Sequence, residues 1–512
     1  MVIDNINIIN KAIELDNSEL FDIHKWSDYP EVNSLVDKLF LELSSDLTLV
    51  KGNLKIRKKH LKTLVLDLYV KYLKDPAMYV SVYLAKWYYD NLESRYNKLH
   101  ISKLTPIIIH ALHDKGYIDL VLGHYSRESN RASHITRIRA KPSLIELIIR
   151  ENVKAEMIER HPLTETIILR TFDEEKGKLE VAYEDTDETK IWRSNLVAYN
   201  NLLRRTYVDV IGAPSDGIRC RQSEKSKSKG QPPKKIHITQ HAKFVRRVFN
   251  NGTWNDGGRF YGGWWQRISE KWRAQIRIWN SPVTEIDYKS LHIHLLYRQK
   301  NIEFNGDPYL LKSYPKYNGD RDMRTFLKLV LLCTINAIEK TKAIQAINKE
   351  INFNSDEFGW VAEDKLDLGE LIDAFVKEHS ALEDDFFSGK GVQLQKLDSV
   401  IAEKIINHFT AKDIPVLCVH DSFVIAVDKA DELKMIMEKS YVEALVELGL
   451  NKGIEPSTDS SGIDLGLFKH MLINPQWHEL KESFLNERFD YPDWTNRMEK
   501  FKALNLEPDY YC

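Results

Sequence analysis

The sequence predicts an α+β protein in two parts, a mostly helical N-terminal half and a C-terminal half in which two strands flank a helical insertion. Two observations lead to this prediction. The runs 283–288 and 414–423 are apolar and contain β-branched and aromatic residues, which is typical of buried strands. Between them, residues 320–350, 366–387 and 393–410 have the apolar pattern of helices.

Each of the two predicted strands carries one aspartate, Asp287 in the first and Asp421 in the second. A carboxylate inside an apolar strand is costly to bury alone. Two such carboxylates are tolerated if they converge on a divalent cation, and hard oxygen ligands suit Mg²⁺. A single aspartate at a strand end is more often a turn or cap residue. The pair together therefore carries the prediction of a metal site.

Composition describes an ordinary globular protein of about three domains, with 512 residues, 43% hydrophobic and 29% charged, and a net charge of −2. No apolar run is long enough to span a bilayer, and the first residues do not have the pattern of a signal peptide. No two of the four cysteines form a Cys-x-x-Cys pair, which argues against a zinc ribbon or a disulfide framework. We expect a reducing, cytoplasmic location and no membrane partner.

The N-terminal half is predicted to bind nucleic acid. Residues 1–98 are expected to be helical, and residues 99–160 to form a winged-helix-like module. In this module a helix over 105–115 is followed by a strand, a basic loop and a second strand. Such modules also dock proteins, but the basic loop favours duplex DNA. The helix would enter a groove, and Arg137 and Arg139 would contact the nucleic acid.

Two connecting segments follow. Residues 161–212 are predicted to be a connector that contains a β-hairpin. Residues 213–247 are predicted to be a basic flexible linker, since they are rich in Ser, Lys, Gly and Pro, with Glu224 the only acidic residue between 217 and 247. Such a composition does not bury a core.

The C-terminal half is predicted to have three segments: 248–300, 301–396 and 397–512. Asp287 lies in the first segment, and Asp421 in the third, which ends in a C-terminal extension. The insertion between them carries Arg324 and Lys328, which are four residues apart and so lie on one helix face. Such a pair is usually solvated. Here it precedes an apolar run, and the two cations could hold a triphosphate opposite the aspartates.

The order of these features resembles the polymerase core shared by family A DNA polymerases and phage-type single-subunit RNA polymerases. Asp287-Tyr288 resembles the first palm motif of that core. Arg324 and Lys328 resemble the motif of its fingers helix, and His420-Asp421 resembles the final palm motif. The resemblance covers roughly residues 250–450. It implies a right-hand palm and fingers architecture.

Other positions match the pattern of these polymerases only in part. Asn336 stands where the fingers motif has a Tyr that lines the incoming nucleotide. His292 stands where DNA enzymes have a Glu that blocks the ribose 2′-hydroxyl and RNA enzymes have Gly, which favours a steric filter and deoxynucleotides. Asp398 and Ser399 lie on a helix that in both families touches primer or template. Arg259 resembles a template-contact arginine of the RNA polymerases, and His420 is carried over as a nucleic-acid contact.

The resemblance implies nucleotidyl transfer onto a 3′ end, as in template-directed DNA synthesis. Asp287, the backbone carbonyl of Tyr288 and Asp421 would bind two Mg²⁺ ions, or Mn²⁺ in their place. Lys328 and Arg324 would bind the phosphates. The partners would be a DNA template and primer and nucleoside triphosphates. The sequence does not determine the oligomeric state.

Three other functions stay open. Ser422 replaces a Glu that often follows the last Asp in DNA enzymes, which favours a primase or a single-subunit RNA polymerase. A non-catalytic DNA-binding initiator or defence protein would keep the fold without the chemistry. A metal nuclease would use the two aspartates but would not need Arg324 and Lys328.

Overall fold

The chain combines helices and sheets, so the mixed class predicted from the sequence is confirmed. The structure is a computed structural model, and it describes residues 15–43, 54–90, 92, 95–124, 134–174, 177–214, 217–220, 235–318, 321–450, 458–462, 492–504, 506 and 508–511. Across these ranges we find no helix with the length and apolar character that a membrane crossing requires.

The described residues form helices and short strands, and the segment from Leu291 to Thr410 is helical without strands. The α-helices are Pro30–Glu42, Leu54–Lys74, Lys86–Asp90, Leu104–Asp114, Pro142–Arg150, Asp187–Arg205, Glu270–Arg273, Leu291–Gln299, Arg321–Asn336, Lys340–Phe353, Ser355–Phe358, Trp360–Glu363, Leu368–Glu378, Gly391–Thr410, Ala430–Glu447 and Pro492–Lys502. The strands are Ser18–Leu20, Lys25–Trp26, Tyr79–Val82, Ile118–Val121, Thr136–Ala140, Glu159–Arg160, Ile167–Asp173, Gly177–Glu180, Val208–Val210, Ile218–Arg219, Lys235–Ile236, Arg246–Phe249, Gly257–Tyr261, Ile276–Ile278, Ser281–Tyr288, Val416–Val419, Ser422–Ala426 and Thr458–Gly462.

The N-terminal part is built around a four-stranded sheet. Its strands follow the order Ser18–Leu20, Tyr79–Val82, Thr136–Ala140, Ile118–Val121. The prediction that residues 1–98 are helical throughout is therefore wrong for two strands of this sheet, and also for Lys25–Trp26, which pairs with Glu159–Arg160. Asp75 and Pro76 end the long helix, and the run Tyr79–Val82 has the aromatic and β-branched residues that suit a fully buried strand. The basic loop of the predicted winged helix lies largely outside the described residues, so that module stays a prediction.

A second four-stranded sheet lies in the middle of the chain and is here called the arginine sheet. Its order is Gly257–Tyr261, Arg246–Phe249, Ile167–Asp173, Gly177–Glu180. The last two strands are the hairpin predicted within the connector. The strand Arg246–Phe249 pairs with both of its neighbours, so residues predicted as linker belong to a sheet.

The two ends of the predicted linker are structured. Ile218–Arg219 pairs with Lys235–Ile236, and Ile218 and Ile236 are both buried in the main core. The expectation of a flexible linker over the whole of 213–247 is therefore wrong at these two ends. The reason is that apolar residues, which can be buried, flank the lysine-rich stretch. Most of that stretch lies outside the described residues. The other domain boundaries stay predictions.

The central sheet carries the site. Its order is Val416–Val419, Ser422–Ala426, Ser281–Tyr288, Ile276–Ile278, Val208–Val210, and Thr458–Gly462 also pairs with Ser281–Tyr288. We call Ser281–Tyr288 the Asp287 strand. On its covered face, the Tyr288 hydroxyl donates to the carbonyl of Met437 on a long helix at 2.6 Å. Since side chains alternate along a strand, Asp287 points to the opposite face.

Candidate active site

Asp287 and Asp421 meet at one end of the central sheet. Asp287 is the cross-strand partner of Ser422, the residue after Asp421. The prediction that Asp421 lies on a strand is wrong in detail. His420 and Asp421 form the two-residue turn between Val419 and Ser422, which pair with each other. His420 has a φ of 63°, in the left-handed region that such turns use.

A cavity of about 220 Å³ opens beside these aspartates and is here called the cleft. It lies between the Asp287 strand and the helix Arg321–Asn336, which we call the cleft helix. Six residues predicted from the sequence line it: Asp287, Tyr288, His292, Lys328, Asn336 and Asp421. The other lining residues are Ser290, Leu291, Ile293, Tyr309, Leu331, Leu332 and Ile335. Folding therefore brings together residues that are up to 134 positions apart, from 287 to 421.

The two carboxylates are not neutralised within the described part of the chain, where neither Asp287 nor Asp421 has an ion-pair partner. Asp287 opens to the cleft, but protein atoms crowd it on its other sides. This desolvation, together with the charges of Asp421 and Glu285, raises the pKa of Asp287 to about 8, although Lys328 acts in the opposite direction. The site thus concentrates negative charge that a bound cation would relieve.

Glu285 lies two residues before Asp287 on the same face of the strand, but it is already paired. Arg273 binds its carboxylate in a two-pronged contact of 2.7 and 2.9 Å, and the Ser422 hydroxyl donates to it at 2.7 Å. Asp459, the neighbour of Asp287 on the other side, pairs with Lys289 at 2.7 Å. Asp287 and Asp421 are therefore the two uncompensated carboxylates at this end of the described sheet.

The two predicted phosphate-binding cations differ in their surroundings. Lys328 lines the cleft, and no described carboxylate forms an ion pair with it. Arg324 instead binds Asp307 through two contacts of 2.6 and 3.3 Å. The ring of Tyr309 lies 5.1 Å from the Arg324 guanidinium and 5.8 Å from the Lys328 ammonium group, so it packs against both. A ligand phosphate at Arg324 would have to replace the Asp307 carboxylate.

His292 belongs to a hydrogen-bonded network behind the cleft. Asp398 is buried and binds Arg259 in a two-pronged ion pair, with its Oδ2 also 2.8 Å from His292 Nε2. Arg259 Nη2 lies 3.1 Å from the same ring nitrogen. Two residues predicted to contact nucleic acid, Arg259 and Asp398, therefore hold His292 in position at the cleft wall.

The remaining predicted contacts occupy varied positions. Ser399 is fully buried and donates to the Lys396 carbonyl at 2.8 Å, so it has no surface to offer a nucleic acid. His420 packs edge-on against Tyr261, and burial, with the charge of Arg259, lowers the pKa of His420. Asn336 is exposed and donates to the Leu332 carbonyl within its own helix. The side chain of Tyr288 points away from the cleft, which leaves its backbone for the predicted metal contact.

The two arginines of the predicted winged helix are engaged within the N-terminal sheet. Arg137 donates to the backbone carbonyls of Leu15 and Ile135 at 3.0 and 2.8 Å. Arg139 binds the Asp119 carboxylate at 3.1 Å. Their predicted role in nucleic-acid binding stays a prediction, and it would require them to keep or exchange these partners.

The cleft has the donor chemistry that Mg²⁺ needs. Mg²⁺ is commonly held by one or two carboxylates together with substrate phosphates and water, and Asp287 and Asp421 supply two uncompensated carboxylates. Clusters of three or more His, Cys, Asp or Glu side chains with the geometry of a metal site do not occur in the described ranges.

Sequence reasoning missed Tyr309, which lines the cleft, and Asp307, which binds Arg324. Both lie in the loop before the cleft helix, where no periodic pattern assigns a direction to a side chain. Tyr309 is 7% exposed, and a hydrogen bond connects it to Ser290, another residue of the lining. The loop also contains other aromatic and apolar residues, such as Phe304, Leu311 and Tyr317, so its composition did not single out Tyr309.

Comparison with known proteins gives distant similarity to solved structures. No protein-family model matches the chain, and no curated protein matches it. Among solved structures, the chain is similar to the POL domain of Pol1 from M. smegmatis, in complex with a DNA primer-template and dNTP. The two share 12% identity with a TM-score of 0.23, over 43% of this chain and 47% of that one. The matched region thus spans about half the length of that polymerase chain.

Proposed function

We propose that this protein is a nucleotidyltransferase that adds nucleotides to the 3′ end of a nucleic-acid strand. One observation carries the proposal: two uncompensated carboxylates, Asp287 and Asp421, share a cleft with an ammonium group, Lys328, that forms no ion pair with any described carboxylate. Phosphoryl transfer needs a site for cations on one side and positive charge for the phosphates on the other.

The residues of the cleft would divide the work. Asp287 and Asp421, with the Tyr288 carbonyl, would hold Mg²⁺ or Mn²⁺, which when bound activates a hydroxyl and stabilises the leaving pyrophosphate. Lys328 lies where it can bind the phosphates of the incoming nucleotide and donate a proton to the leaving group. Arg324 would bind the outer phosphate as a planar fork once it has released Asp307.

The architecture supports the same proposal. The central sheet, with both aspartates at one end, corresponds to a palm, and the cleft helix with the helices after it corresponds to fingers. The N-terminal part would hold DNA. The order of the elements and the position of the cleft between sheet and helix support the palm and fingers assignments.

We further propose that the substrate is a deoxynucleoside triphosphate and that synthesis follows a DNA template. His292 supports this choice, since Asp398 and Arg259 hold its ring at the cleft wall and a fixed ring can exclude a 2′-hydroxyl. The Ser422 hydroxyl donates a hydrogen bond to Glu285, which gives Ser422 a structural role in the sheet. Its presence therefore does not argue for RNA synthesis. RNA synthesis is tested in the same assay.

The test is primer extension on a defined template with Mg²⁺, each nucleotide type being offered separately. Wild-type protein is expected to extend the primer, and Asp421→Ala to reduce extension by a factor of 1,000 or more, on the order of the loss when transition-state charge stabilisation is removed. Asp459→Ala is the matched control, because it removes a neighbouring aspartate that is exposed and ion-paired. No extension by the wild type, or equal extension by both variants, would overturn the proposal.

A further inference from the structure

A group of arginines lies on the outer face of the arginine sheet, where the sheet meets the N-terminal part. Arg246 and Arg170 come from neighbouring strands of that sheet, and Arg160 comes from a short strand that pairs with Lys25–Trp26. All three arginines are partly exposed. We call this set the arginine cluster.

The carboxylates near the cluster are fewer than its cations. Asp22 binds Arg160 at 3.1 Å and Lys25 at 3.6 Å, and Glu180 binds Arg170 at 3.3 Å. Arg246 forms no ion pair or hydrogen bond with any described side chain. One guanidinium group is therefore left without a direct ion pair, although the charges of Glu180 and Asp22 act on it from a distance.

Three further observations support this excess of positive charge. The Nη1 atom of Arg160 is buried and has no hydrogen-bond partner. Burial, followed by the positive charge of Arg160, lowers the pKa of Arg246 to about 10. Burial also lowers the pKa of the neighbouring His24 to about 3, where Asp22 opposes the shift and Arg160 and Arg246 add to it. Unpaired guanidinium groups in such surroundings are typical of phosphate recognition.

The cluster is connected to the cleft by two contacts. Arg246 lies directly across the sheet from Tyr261. The ring of Tyr261 packs against the ring of His420, with centroids 5.3 Å apart, and His420 precedes Asp421. A nucleic-acid strand that leaves the cleft past Asp421 would therefore meet Arg246 after crossing a single aromatic side chain.

We propose that Arg246, supported by Arg160 and Arg170, binds a backbone phosphate of the nucleic-acid strand that passes Asp421. This inference deepens the proposed function and rests on it for the identity of the strand. The chemistry recognised is a phosphate, which a free nucleotide could also supply, so the experiment must separate the two sources.

The experiment measures fluorescence anisotropy of a labelled primer-template in EDTA over a series of salt concentrations, so that catalysis is not needed. Arg246→Gln is expected to weaken binding about three- to tenfold and to reduce the salt slope by about one, as for the loss of one phosphate contact. Glu180→Gln is expected to strengthen binding, because it frees Arg170. Lys500→Gln, on an exposed position of the helix Pro492–Lys502, is the charge-matched control and is expected to change neither.

Several outcomes would overturn the inference. Arg246→Gln could equal Lys500→Gln in affinity and salt slope, or Glu180→Gln could leave affinity unchanged. Weaker binding of inorganic triphosphate with unchanged DNA binding would assign the cluster to a free nucleotide instead. A lower thermal stability of Arg246→Gln would give a second reason for weaker DNA binding. In that case the DNA affinity of Glu180→Gln tests the inference, since this variant removes no arginine.

The two proposals fail separately. Wild-type protein that extends no primer but loses DNA affinity on Arg246→Gln would contradict the proposed function and support the phosphate site. Primer extension by the wild type, with no effect of Arg246→Gln on DNA binding, would support the proposed function and contradict the phosphate site.

Discussion

Asp287 lies opposite Ser422 in the central sheet, which makes it a diagonal neighbour of Asp421 across the end of two strands. The negative charge of Asp421 helps to raise the pKa of Asp287, so the two carboxylates repel each other in the absence of a cation. The sheet pairing that holds them there is made by apolar residues such as Ile286 and Phe423, both fully buried. The stability of the core therefore maintains an electrostatically unfavourable arrangement at the site.

The first prediction concerns pH and stability. In the metal-free protein the pKa of Asp287 rises from 3.8 to about 8 on folding, since burial and the charges of Asp421 and Glu285 oppose ionisation. Between these values the folded state binds more protons than the unfolded state, so the free energy of unfolding falls as pH rises. Asp287→Asn, which cannot ionise, should be more stable than wild type above pH 8, by on the order of 1–2 kcal/mol after solvent screening in the open cleft.

Urea denaturation in EDTA checks this prediction. The difference in unfolding free energy should shrink as pH falls and vanish near pH 4. Asp459→Asn serves as the control, because that carboxylate is exposed and paired with Lys289. A stability difference that does not depend on pH would show that Asp287 is not crowded by negative charge.

The second prediction concerns the choice of sugar. His292→Gly removes the ring at the cleft wall and should raise ribonucleotide incorporation relative to deoxynucleotide incorporation, by about 10-fold or more, as for one lost steric contact in a pocket. Single-nucleotide incorporation with dNTP and rNTP measures the ratio of kcat/KM. His294→Gly, two residues along the same helix, is the control. A variant that still rejects ribonucleotides would rule out His292 as the filter.

The third prediction concerns Arg324. Asp307 holds its guanidinium through two contacts, in competition with any phosphate ligand. Asp307→Asn should therefore lower the KM for the nucleotide by several-fold, in line with one charge-assisted contact, with little change in kcat. The effect should disappear in an Arg324→Lys background, because lysine lacks the planar fork. If Asp307→Asn raises KM in both backgrounds, Asp307 instead supports the loop.

The fourth prediction concerns the network behind the cleft. Asp398→Ala leaves the largely buried Arg259 guanidinium without its counter-charge, and should lower the free energy of unfolding by about 3 kcal/mol. The Asp398→Ala, Arg259→Met double variant should be less destabilised than the single variant, because no unpaired charge then remains. Urea denaturation of both variants gives the comparison. Equal losses would mean that the ion pair contributes through packing rather than charge.

Much of the site followed from local sequence patterns. The apolar run 283–288 has the composition of a strand, and the four-residue spacing of Arg324 and Lys328 places both on one helix face. Asp287 and Lys328 could therefore be assigned from local patterns, whereas Asn336 came from the resemblance to the polymerases. The turn at Asp421 could not be seen, since the apolar run continues through both strands of the hairpin and the break depends on the backbone at His420.

The sequence also did not reveal which charged side chains form ion pairs with each other. Arg324 pairs with Asp307 and Arg259 pairs with Asp398, at sequence separations of 17 and 139 residues. No periodic pattern connects such positions, because tertiary folding alone brings them together. The strand Tyr79–Val82 was mistaken for helix for a related reason: a short apolar run is compatible with either element until its pairing is known.

The most direct test of the central claim is cation binding by the two aspartates. Electron paramagnetic resonance of Mn²⁺ titrated into the protein, with a non-hydrolysable nucleotide present, measures it without catalysis. We expect the wild type to bind Mn²⁺, and Asp287→Asn and Asp421→Asn each to weaken binding at least tenfold, as for the loss of one of two carboxylate ligands, whereas Asp459→Asn leaves it unchanged. Equal Mn²⁺ affinity in all four proteins would contradict the claim that Asp287 and Asp421 share a metal site.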